Sequence, residues 1–149
     1  MKTTWILIAN SAHARCFLRE SGTRHWSMLT EFDDPLGRAK GQDLTSDRSG
    51  HETTRQGGSG TAYAPHMDPR TKEHEKFAAQ LARFCNEGVA AHRCDALAIF
   101  AAAPFLGEIK EHLDEQARKV LRVAAAHDFT SLSGSELLRR VDQELLAHH

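Results

Sequence analysis

A chain of 149 residues with 40% hydrophobic and 26% charged content has the size of one domain built round one core. Nineteen Lys and Arg against twenty Asp and Glu exclude the overall positive field that draws a protein onto nucleic acid or anionic lipid, so a polyanion would have to be met by a local patch. Cys16, Cys85 and Cys94 form no Cys-x-x-Cys pair, which argues against a disulfide framework or a zinc knuckle.

The apolar run Thr4 to Ala9 (TWILIA) predicts a central strand covered on both faces. Its body, Trp5 to Ala9, is too short for a secretory segment or a membrane span, so a cytoplasmic protein is expected. Ala14 to Glu20 and His25 to Phe32, joined by Ser21-Gly22-Thr23-Arg24, predict a hairpin. From about 33 to 68 the chain holds six of its ten glycines and two of its four prolines, with almost no apolar periodicity. This predicts a long glycine-rich loop, of a length that is usually functional or disordered.

Asp68-Pro69 places a cap and a first-turn proline ahead of Phe77, Leu81, Phe84, Cys85 and Val89 at helical spacing, predicting a helix from Pro69 to His92. Ala96 to Ala102 (ALAIFAA) is a second apolar run, expected beside the first strand. Pro104 then opens a helix with Phe105, Leu106, Ile109 and Leu113 on one face. Val120 to Ala125 reads as a fifth strand, although Asp114 to Ala126 could continue as helix. Ser133-Gly134-Ser135-Glu136 reads as a capping box for a last helix burying Leu137, Leu138, Val141 and Leu145. The order is that of an α/β, ribonuclease-H-like three-layer fold: a five-stranded mixed sheet, order 3-2-1-4-5, strand 2 antiparallel and helices on both faces.

Chemistry-bearing residues gather at two places. Asn10, Ser11 and His13 follow the buried first strand, where they could line a cleft or serve turn hydrogen bonds. Arg15 is either an exposed sheet residue or the partner of a loop carboxylate such as Asp47. Within the loop, Asp47-Arg48 could pin the backbone or meet a ligand. Arg55-Gln56-Gly57-Gly58 could form an anion-binding nest, because consecutive backbone N–H groups make a concavity for phosphate. His127-Asp128 offers an imidazole and a carboxylate, but neighbours on an extended chain point apart. His51, His66 and His74 lack the spacing of a metal motif, and neither TWILIAN nor ALAIFAA carries the carboxylates of a two-metal nuclease. No cofactor is expected.

WILIANSAHARCF, the segment Leu44 to Gly50 (LTSDRSG), MDPRTKEHEKFAAQLA, AAPFLGEIKEHL and AHDFT together resemble the bacterial host attachment family over nearly the whole chain. That family is similar to the middle domain of archaeal and eukaryotic peptide-chain release factors, which carries a Gly-Gly-Gln loop that enters the peptidyl-transferase centre. The resemblance places Arg55 to Gly60 at the position of that loop. Here Gln56 precedes Gly57 and Gly58, and Ser59 follows them, so the order of a catalytic Gly-Gly-Gln is not kept. The expectation is a noncatalytic binding module with RNA or ribosome contact through Arg38, Lys40, Arg48 and Arg55. One alternative is a peptidyl-tRNA or related ester hydrolase using Gln56 or Ser59. Another is a protein-interaction domain involved in attachment to host cells.

Overall fold

The computed structural model describes residues 2–22, 26–34 and 69–147. In chain order the elements are β1 (Thr3–Ala9), β2 (His13–Glu20), β3 (Trp26–Asp33), α1 (Pro69–Ala90), β4 (Ala96–Ala101), α2 (Phe105–His112), α3 (Glu115–Lys119), β5 (Leu121–Ala125) and α4 (Gly134–Ala147). The strands form one sheet in the order β3-β2-β1-β4-β5, with β2 antiparallel to both neighbours and β4 parallel to β1 and β5. This is the mixed α/β sheet that the hydrophobic patterning predicts.

β4 throughout, and β1 from Trp5 onward, are apolar because both of their faces are covered. Side chains alternate across a strand, so Trp5, Leu7, Leu97 and Ile99 enter one core layer while Ile6, Ile8, Ala98 and Phe100 enter the other. The first layer lies under α1, α2 and α3, through Phe77, Leu81, Cys85, Ile109 and Ala117. The second lies under α4, through Leu137 and Val141, with Phe129 from the connection before it. The expected burial of Trp5, Ile6, Leu7, Ile8, Leu97, Ile99 and Phe100 is complete to within 2% exposure.

Several element ends differ from the sequence reading. α1 stops at Ala90, where Arg93 N donates to Gly88 O and His92 N to Val89 O while His92 sits at φ 59°. These are the paired bonds of a Schellman cap, with histidine at the left-handed position that glycine more often fills. The stretch after α2 is both of the things the sequence allowed. Asp114 accepts from Ala117 N and starts α3, a helix of five residues, and β5 follows at once. The turn into α4 passes through Gly134 at φ 59°, an angle costly for any residue with a Cβ.

On β3, Thr30 pairs with Cys16 and Met28 with Phe17, which leaves Leu29 as a bulged residue on an edge strand. Such a bulge twists the edge away from further strand pairing. Gly88 is required by close approach: a Cβ there would lie 2.3 Å from the Trp5 ring, which stacks on Phe84.

Candidate functional site: the cleft at the carboxyl ends of the parallel strands

β1, β4 and β5 run parallel and end together, and a cleft of about 270 Å³ opens at their carboxyl ends. Open α/β sheets bind ligands at this end, because connections leaving adjacent strands diverge there. Asn10 and Ser11 reach the cleft from β1, and Ala102 to Phe105 from the connection between β4 and α2. His74 comes from α1, Glu108 from α2 and Asp128 from the chain after β5. Asn10 and Ser11 stand where β1 ends, the position at which the sequence allowed either a cleft lining or turn hydrogen bonds.

Asn10 is held on both sides of its amide. Its Oδ1 accepts from the backbone N–H groups of Ala12 and His13, each at 2.8 Å, so the chain turns out of β1 into β2 on this side chain. Its Nδ2 donates to Thr130 Oγ1 at 3.1 Å. Thr130 donates in turn, through both its backbone N–H and its hydroxyl, to Asp128 Oδ1. One hydrogen-bonded chain therefore ties the end of β1 to the segment beyond β5.

Arg15 reinforces the same wall. Its Nη2 donates to the carbonyls of Thr130 at 3.2 Å and Leu132 at 2.9 Å, with a longer contact to Phe129, and its guanidinium lies over the Phe17 ring. It is therefore a half-buried clamp rather than an exposed sheet residue. A guanidinium suits this role, since its planar fork can reach several carbonyls at once. The nearby His13 imidazole lies 2.8 Å from Asp33 Oδ1, closing the last rung between β2 and β3.

Glu108 stands in the first turn of α2, where a carboxylate complements the helix dipole. Burial pushes its carboxyl above the usual carboxylate range. Glu75 and Glu111 push the same way, and His74 and His112 oppose them. Its Oε1 is shut off from solvent and has no hydrogen-bond partner. His127 and Asp128 do point apart as adjacent residues should: His127 stacks on Phe129 with Nε2 3.4 Å from Glu144, while Asp128 turns to Thr130.

Asp47, Arg48, Arg55, Gln56, Gly57, Gly58 and Ser59 lie outside the described residues, as do Arg38, Lys40, His51 and His66. The two flanks of that segment are described, and both adjoin the cleft. Asp34 N donates to Ala12 O at 3.0 Å beside Asn10, and His74 of α1 lines the cleft itself. Among the described residues, no group of three or more His, Cys, Asp or Glu is placed to hold a metal ion. No helix there is long and apolar enough to cross a membrane.

The sequence reading missed His74 and Glu108 as cleft residues. Their signal was positional: each lies in the early turns of a helix that flanks a buried parallel strand.

Among solved structures, the chain is similar to an archaeal translation termination factor, aRF1, at 9% identity and a TM-score of 0.49, covering 97% of this chain and 39% of that one. It is also similar to the Ppx/GppA phosphatase of Aquifex aeolicus at 10% identity and a TM-score of 0.43, covering 84% of this chain and 36% of that one. The chain thus spans about two fifths of the length of either protein. No curated protein matches it. The family model described as "Protein required for attachment to host cells" matches residues 5–141, from within β1 to within α4, and the chain belongs to that family.

Proposed function

We propose that this protein is a noncatalytic binding module of the cytoplasm whose working face is the carboxyl end of its sheet. The partner in this reading is RNA or the ribosome. One observation carries it: the segment between residues 34 and 69, with its arginines and glycines, leaves and rejoins the described fold beside the cleft, at Asp34 and at the early turns of α1. Arg48 and Arg55 would meet phosphates, with the backbone of Gln56, Gly57 and Gly58 as an anion-binding nest.

The noncatalytic character is supported by how the wall of the cleft is used. Asn10 and Arg15 spend their hydrogen bonds on the backbone and on Thr130, which makes them a frame for a binding face rather than reacting groups.

The test is a salt titration of RNA and ribosomal-subunit binding. Arg48→Ala and Arg55→Ala should each weaken association and lower the slope of log affinity against log salt by about one unit per lost phosphate contact. Gln56→Ala should leave both unchanged. Hydrolysis of peptidyl-tRNA by the wild-type protein, lost in Gln56→Ala or Ser59→Ala, would replace this reading with an ester hydrolase. No RNA binding at low salt would replace it with a protein-interaction domain.

A further inference from the structure

We draw no further inference here: the strongest candidate, the apolar hollow beside β5 lined by Gly107, Lys110, Glu111, Leu113, Arg118 and Leu121, carries nothing because nothing in the structure shows what covers it.

Discussion

On one side of the sheet three helices lay a continuous apolar layer over Trp5, Leu7, Leu97 and Ile99, whereas on the other, among the described residues, α4 and Phe129 from the connection before it cover Ile6, Ile8 and Phe100. The thinner side is finished by cations instead. Arg15 lies over Phe17, Arg19 over Trp26 and Arg140 over Phe129, and Arg19 reaches across to Asp142 on α4 at 2.6 Å. Sheet surface that helices do not reach can be closed by guanidinium stems lying on aromatic rings, which keep their charge at the solvent edge. The thicker side holds all three cysteines, while the thinner side carries ion pairs such as Arg19–Asp142 and His127–Glu144.

A thiol reagent probes the packing of the three-helix side, where all three cysteines lie. Burial pushes the Cys85 thiol up to about 12 and Cys94 to about 11, and raises Cys16 further still. At neutral pH the thiolate of Cys85 should therefore be about a thousandfold scarcer than that of a free cysteine, before its inaccessibility is counted. All three thiols should label only as fast as the fold opens. Fast labelling of Cys85 in native buffer would show that the three-helix side is loose. The neutral thiols stabilise the folded state below their ordinary value of 9.0, and that contribution should fade as pH climbs toward about 11 to 12, seen as a declining melting temperature.

Core truncation comes next. Leu7→Ala or Ile99→Ala removes side chains that are at most 1% exposed, and either should cost about 2 to 5 kcal/mol in urea unfolding. Gly88→Ala should cost about 1 to 3 kcal/mol or more, because its Cβ would collide with Trp5 and the sheet cannot retreat from α1 without disturbing Phe84. A near-neutral Gly88→Ala would show that Trp5 has another place to go.

On the thinner side the effects should be smaller. Arg15→Met keeps the stem over Phe17 but removes the donors to Thr130 and Leu132, and should cost about 1.5 to 3 kcal/mol. It should also broaden the NMR signals of residues 128–132, which a purely packing role for Arg15 would not do. Asp142→Asn, which breaks a partly exposed ion pair, should cost less than about 1 kcal/mol.

The elements legible in the sequence were those whose signal is local. TWILIA and ALAIFAA announce strands buried on both faces, and the spacing of Phe77, Leu81 and Cys85 announces the face that α1 turns to the sheet. Helix α3 was not separable from its surroundings because five residues are too few to show a helical period; only the Asp114 cap marks it. Asn10 and Ser11 could be placed at a strand end from sequence order alone. The role of Arg15 could not, because its partners are main-chain carbonyls more than 110 residues away, and a carbonyl leaves no trace in side-chain identity. Glu108 became a cleft residue only when the topology set α2 at the carboxyl end of β4.

The central position of β1 has a consequence for how the chain is made. Its partner on one side, β2, follows within a few residues, but its partner on the other, β4, begins at Ala96, and the carbonyls that Arg15 binds lie at 130 and 132. A nascent chain emerging from a ribosome would hold this strongly apolar strand with one edge unpaired until β4, which begins at Ala96, has followed. Completion of the sheet is thus a late event, governed by the arrival of β4 and β5, and slow for a chain of this length because its defining contacts are distant in sequence. Until then the apolar edge of β1 is the part of the chain that most needs shelter from its neighbours.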